Sequence, residues 1–327
     1  MKILFLILSF FIVSQTFSQL YKIKEPLAHT YSIVCRDEVT GEMGVAVQSH
    51  WFSVGTAVSW AEAGVGAVAT QSFVNKSFGI LGLNLLRTGL TAQQVVDSLL
   101  KDDEGREVRQ LAIIDSKGNV ATHTGKNCID YANHVKGENF SVQSNMMLTK
   151  GVSKAMSGAF QKSINKPLAE RMLIALEAAQ TAGGDIRGQQ SASLILVPAK
   201  SAGKPWDERS IDLRVDDHPA PLKELRRLYT LHLAYQHMNN GDLAIEKNDM
   251  ATAMNEYNAA MKLFPNNLEM QYWTAITLAN NKQVAKAVPI LKAIFSKDNN
   301  WKELTRRLPK VNLLTVSEPE LKKILNL

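Results

Sequence analysis

The chain has 327 residues, a length that predicts about two domains. Hydrophobic residues make up 45% of it and charged residues 21%, which excludes wholesale disorder and a multi-span membrane protein and leaves material for a sizeable core. The net charge of +6 is spread thinly, with neither a run of like charges nor a basic patch interleaved with aromatics, and this argues against nucleic acid as a partner.

Residues 1–18 carry Lys2, an apolar stretch over 3–13 and a polar end with the small residues Thr16 and Ser18, the pattern of a secretory signal peptide. That stretch is short of the roughly 20 residues a membrane-spanning helix needs, so no transmembrane segment is expected after cleavage. Cleavage after Ser18 or Gln19 would leave an exported protein, periplasmic or secreted; an uncleaved anchor is the alternative. In such a compartment Cys35 and Cys128 could form a disulfide, or remain two small buried thiols.

Residues 19–29 contain Pro26 and no periodicity, and read as a pro-segment or linker. Beyond them, 30–37 and 44–48 are apolar and partly β-branched around a polar turn, a pattern that predicts two antiparallel strands. The small-residue runs 56–60 and 64–71 predict further strands, and 79–86 a helix. Thr91 is an expected N-cap for a helix carrying Val95, Val96, Leu99 and Leu100 at helical spacing. Residues 109–115 and 119–124 flank Ser116, Lys117 and Gly118 as a second hairpin, a helix fits 168–179, and 191–197 supplies a last strand. Hairpins with helices between them predict an α+β layered domain rather than a dinucleotide fold. Past Pro205 helix formers take over and strands are no longer expected. Taking Gly241 as the small residue of a first helix puts Ala253, Tyr257, Ala260 and Pro265 at tetratricopeptide spacing, and Ala275, Ala287, Leu291 and Ile294 fall one period of about 34 residues later. A generic pair of helical hairpins is the alternative. The expected order is a signal peptide over 1–18, the linker over 19–29, a catalytic-type domain over 30–232 and a tetratricopeptide-like helical module over 233–327, with 313–327 a candidate cap.

Phosphate-binding glycine motifs are absent, and so is the GxSxG elbow of a hydrolase serine. His50, His123 and His134 are the first candidates for acid–base or metal chemistry, yet none belongs to a zinc-type spacing, so neither metal nor cofactor is expected. Position suggests another nucleophile. Thr30 opens the first strand, where amino-terminal-nucleophile enzymes place a Thr, Ser or Cys whose own α-amine accepts its proton. A plain β-branched strand residue would look the same.

Residues 30–37 (TYSIVCRD), 44–49 (GVAVQS), 63–71 (AGVGAVATQ), 106–111 (REVRQL), 141–145 (SVQSN), 183–192 (GGDIRGQQSA) and 212–218 (DLRVDDH) resemble, in order, the family known as domain of unknown function 1028. The resemblance covers about 29–232. It implies a four-layer αββα sandwich of the amino-terminal-nucleophile hydrolase type and an amide-bond hydrolase ancestry, with Thr30 at the matching nucleophile position; it does not supply the substrate, for which a small amide or peptide is the expectation. Members without a signal peptide begin with Met directly before that Thr, whereas here residues 19–29 precede it, so a second cut between His29 and Thr30 is required. Around Thr30, the Asn145 amide is the expected oxyanion donor, Gln48 or Ser49 would orient the nucleophile or the amine, and Gln71 ends another strand toward the substrate. Pleat alternation groups Thr30, Ser32, Val34 and Arg36 on one face of the first strand. Arg36 with Asp37 reads as an ion pair near a turn or a substrate clamp, and Asp185 with Arg187 as an ion pair or a ligand-binding loop. A non-catalytic extracytoplasmic binding or scaffold protein, with the helical module holding a protein or peptide partner, is the competing function.

Overall fold

The computed structural model describes residues 27–327; the expected signal peptide and all of the linker before Leu27 lie outside them. In chain order come strands β1 (Leu27–Ala28), β2 (Thr30–Arg36), β3 (Met43–Ser49), β4 (Ser59–Glu62) and β5 (Gly66–Phe73), then helices α1 (Ser77–Arg87) and α2 (Ala92–Lys101). Strands β6 (Arg109–Asp115), β7 (Val120–Thr124), β8 (Asn133–Gly137) and β9 (Phe140–Ser144) precede α3 (Val152–Lys162) and α4 (Leu168–Thr181), followed by β10 (Ser191–Val197) and β11 (Ile211–Val215). The rest is helical: α5 (Pro221–Glu246), α6 (Met250–Leu263), α7 (Leu268–Asn280), α8 (Val284–Lys297), α9 (Asn300–Arg307) and α10 (Glu318–Leu325).

The protein is α+β, with two antiparallel sheets and a helical C-terminal region. One sheet runs β11-β10-β3-β2-β9-β8; the other runs β1-β5-β6-β7, with β4 also paired to β5. Strand alternation dictates how they stack. Val34, Val45 and Val47 of the first sheet meet Ala67, Ala69, Ala112 and Ile114 of the second in one apolar layer. The opposite parity of the first sheet, Tyr31, Ile33, Cys35 and Ala46, packs on α3, α4 and the start of α5. The outer parity of the second, Val68, Leu111 and Ile113, packs on α1 and α2.

Several local expectations hold for the physical reasons that raised them. The 37–42 turn closes with Asp37 Oδ1 accepting the Val39 and Thr40 amides, and Gly41 takes φ +73°, which a side chain would strain. Thr91 caps α2 in a capping box with Gln94. Others need correction. Residues 54–56 form a 3-10 turn, and β4 starts at Ser59 rather than Thr56. Gly64 at φ +73° turns the chain, so β5 begins two residues after the predicted start at Gly64. Strands continue past Pro205: β11 pairs with β10 through Ile211 and Val215, and its exposed Asp212 disguises it in the sequence. Helix α3 and strands β1 and β8 are further elements the periodicity did not reveal.

Helix α5 carries the transition between the two regions. Its first half buries Leu222, Leu225 and Tyr229 against the first sheet's helices, and its second half buries Ala234, Met238 and Ala244 against Ala253, Tyr257 and Ala260 of α6. Residue 232 therefore lies inside a continuous helix. Gly241 lets α5 and α6 approach, since a Cβ there would stand 2.4 Å from the Tyr257 ring. Ala275, Ala287, Leu291 and Ile294 are buried in the next cluster, which Leu314 and Ile324 of the C-terminal segment close. Among the described residues no helix is long and apolar enough to cross a membrane.

Candidate active site

Polar residues on the inward parity of the strands interrupt the apolar layer between the sheets at one end. These are Thr30 and Ser32 on β2, Ser49 on β3, Gln71 on β5, Gln110 on β6 and Gln143 on β9, all buried. Burial without partners would cost several kcal/mol per group, and the network formed here avoids that cost. Ser32 Oγ donates to Gln71 Oε1 at 2.6 Å and accepts from Gln143 Nε2 at 2.6 Å. Gln110 Oε1 accepts from Gln71 Nε2 at 2.7 Å and from Asn145 Nδ2 at 2.8 Å. Gln71 Nε2 also reaches the Thr30 carbonyl oxygen at 3.3 Å, and the Asn145 backbone N–H donates to it at 3.1 Å.

The peptide bond between His29 and Thr30 lies at the centre. The His29 carbonyl oxygen accepts from Ser49 Oγ at 2.5 Å and from Arg187 Nη2 at 2.8 Å. Arg187 is aimed by Asp185, whose buried carboxylate takes Nη2 at 2.7 Å and Nε at 3.0 Å. Asp185 is held in turn by the backbone N–H groups of Arg187 at 2.9 Å and His50 at 3.1 Å. Thr30 Oγ1 points back along the preceding chain and donates to the Ala28 carbonyl at 2.8 Å. Two charge-bearing or hydroxyl donors thus converge on one backbone carbonyl whose following residue supplies a hydroxyl. This arrangement can polarise that carbonyl toward addition.

The structure places Thr30, Ser49, Gln71, Asn145, Asp185 and Arg187 near one another. It separates Gln48, because register pairs Gln48 with Tyr31 and alternation turns it to the helix-covered face with Ala46. Both polar atoms of its side chain are buried there without a hydrogen-bond partner. Asn145 Nδ2 donates to Gln110 Oε1 at 2.8 Å and reaches the Thr30 carbonyl oxygen at 3.5 Å, while its Oδ1 takes His29 Nδ1 at 2.7 Å. Arg36 donates to the Ser116 carbonyl at 3.1 Å, away from the cleft, which removes the substrate-clamp reading. Cys35 and Cys128 are free thiols, one on the outer face of the first sheet and the other bonded to the Arg109 carbonyl; burial pushes both thiols up.

His50 lies at the rim, His123 Nε2 sits 2.7 Å from the Arg106 carbonyl oxygen, and His134 Nδ1 sits 2.8 Å from Thr124 Oγ1. Among the described residues no group of three or more His, Cys, Asp or Glu is placed to hold a metal ion. The residues that sequence reading missed are His29, Gln110 and Gln143. A glutamine at inward parity within an apolar strand was the available signal for the last two; His29 had none.

His29 is buried, its ring set edge-on to Phe73 with centroids 5.5 Å apart. Asn145 Oδ1 of the side-chain amide accepts from Nδ1–H, which leaves Nε2 as the bare nitrogen, buried and without a hydrogen-bond partner. Burial holds its pKa below the ordinary 6.5. The unfolded chain then binds more protons below that value, so folded-state stability falls as pH drops through the ordinary value toward the lowered one. His134 and His232 shift in the same direction for the same reason. Between about pH 7 and about pH 5, the melting temperature of uncleaved Thr30→Ala protein is expected to fall more steeply than that of Thr30→Ala/His29→Asn protein. Equal slopes would show that His29 is not held neutral.

Comparison with known proteins follows this geometry. The model of the family of unknown function (DUF1028) matches residues 30–225, from the candidate nucleophile into α5. A crystal structure of a Silicibacter pomeroyi protein assigned to that family is 31% identical, with a TM-score of 0.56, over 62% of this chain and 85% of that one. Anbu (ancestral beta-subunit) from Yersinia bercovieri aligns over 61% of this chain and 93% of its own at 13% identity and a TM-score of 0.30. No curated protein matches the chain. With more than half of its length matched, beginning at Thr30, the chain belongs to the DUF1028 family.

Proposed function

We propose that the protein is an exported amino-terminal-nucleophile hydrolase acting on an amide bond of a small molecule or peptide, with Thr30 as nucleophile. The observation that carries this reading is the grip of Ser49 and Arg187 on the carbonyl that immediately precedes Thr30. The helix, sheet, sheet, helix stacking, with Thr30 facing the gap between sheets, supports reading the domain as an αββα sandwich of that class. Cleavage begins when Thr30 Oγ adds to the His29 carbonyl carbon, with the developing oxyanion on the oxygen that Ser49 and Arg187 hold. The carbon–nitrogen bond then breaks, and the hydroxyl proton ends on the Thr30 nitrogen. Water hydrolyses the resulting ester, leaving a carboxylate on His29 and returning the Thr30 hydroxyl. The freed α-amine, with a reference pKa of about 8, serves as the base in later turnovers.

In this reading Ser49 and Arg187 replace Asn145 as oxyanion donors, and Asp185 positions Arg187. Helices α5 to α8 are read as two tetratricopeptide-like pairs, and a groove between α5 and α7 that includes Tyr235, Met238 and Trp273 would receive a peptide or protein partner. A non-catalytic binding protein is the second reading, favoured by β1, which fills the space beside Thr30 in the uncleaved chain. Intact mass and amino-terminal sequencing of protein from a secreting host decide between them. Wild-type protein is expected to begin at Thr30, and the folded Thr30→Ala variant to keep residues 27–29 and to hydrolyse no amide substrate. Wild-type protein that retains His29 would overturn the hydrolase reading.

A further inference from the structure

We propose that the segment Leu27 to His29 is a built-in template of the substrate, and that the enzyme takes an extended peptide with a small residue followed by a neutral hydrogen-bond donor, imidazole foremost, before the cleaved bond. The inference rests on the hydrolase reading above and deepens it. Strand β1 is added antiparallel to β5, with Leu27 opposite Phe73 and Ala28 opposite Ser72, the way an extended peptide binds a free sheet edge. Arg109, itself buried, fixes that edge by donating to the Phe73 carbonyl at 2.6 Å.

Each side chain after Leu27 has a made place. Ala28 is fully buried in the apolar layer between the sheets, where a larger side chain would need a cavity that close packing does not leave. His29 is fully buried against Phe73 with Nδ1–H donating to Asn145 Oδ1. Its carbonyl occupies the Ser49 and Arg187 donors. Once the bond to Thr30 is broken and the segment leaves, the β5 edge, Asn145 Oδ1 and the two donors face the same cleft. Asn145 Oδ1 then lacks its partner. A pocket that has lost a hydrogen-bond donor favours a ligand that restores one and discriminates against one that cannot. Carboxylate side chains lack such a donor when ionised, and an ammonium would be desolvated there close to the Arg187 cation, whose repulsion outweighs the attraction of Asp185.

The test uses the mature wild-type protein, sequenced at its amino terminus, and titrates it with acetyl-Leu-Ala-His bearing a free carboxylate. Two control peptides carry phenylalanine at the last position or a histidine methylated on Nδ1. The histidine peptide is expected to bind, and each control to bind about tenfold more weakly or worse, because neither donates to Asn145. Protein that begins at Thr30 but binds none of the peptides, or all three alike, overturns the template inference alone. Protein that retains His29 removes the hydrolase reading and this inference together.

Discussion

Replacing Arg187 with Met is expected to slow the proposed cleavage between His29 and Thr30 by about 100- to 1,000-fold, the usual loss when one preorganised oxyanion donor is removed. Of the two donors on the His29 carbonyl, Arg187 is the charged one, and its hydrogen bond strengthens as negative charge develops. The variant also leaves the buried Asp185 carboxylate without its cation. Two backbone N–H groups still hold Asp185, at 2.9 and 3.1 Å, which limits the expected stability loss to about 2–3 kcal/mol. The rate is read by intact mass over time and the stability by urea denaturation of the uncleaved variant. Arg187→Lys keeps the charge without the planar fork, and an intermediate rate is expected. An Arg187→Met chain that folds and cleaves as fast as wild type would remove the oxyanion role.

Gln110→Leu is expected to be the most destabilising single change in the site. Gln110 Oε1 accepts from Gln71 and Asn145, and its Nε2 faces Thr124 Oγ1 at 2.9 Å, Ser144 O at 3.1 Å and Asn133 O at 3.2 Å. Two amide hydrogens are shared among those three acceptors. A leucine of similar length fills the space but leaves donors and acceptors on four strands, β5, β7, β8 and β9, and in the turn after β9 without their partner. At about 1–3 kcal/mol for each unsatisfied group, a loss of about 3 kcal/mol or more is expected in urea denaturation. Cleavage should slow as well, because Gln71 and Asn145 both bond to the Thr30 carbonyl and both lose their anchor. A variant within about 0.5 kcal/mol of wild type would mean that the network is not rigid.

Thr30 was legible because a strand start has a position and a parity, and both are local. Ser49 followed from the antiparallel hairpin, whose register sets it opposite Thr30. The same register argument, taken one residue further, would have excluded Gln48, since neighbouring residues on a strand face opposite sides. Asp185 and Arg187 were legible only as an ion-pair candidate in a glycine-bearing loop, and nothing in the chain order points that loop at His29. Strand β11 was lost to its alternating charges, and β1 to its two-residue length.

The sequence by itself determined the local grammar of this protein: hairpins, the Thr91 cap, the inward parity that holds Thr30 and Ser32, and the shift to helical periodicity. Those features depend on residues a few positions apart, where propensity and side-chain spacing act directly. Tertiary structure alone decided the site. Arg187 reaches a carbonyl 158 positions away, Asn145 a ring 116 away, and Gln71 and Gln110 join across strands 39 apart. How two sheets slide over one another is set by the packing of Val and Ala side chains between them, a collective result that no local segment encodes. That packing brings His29 into the cleft and makes its carbonyl the one that Ser49 and Arg187 hold.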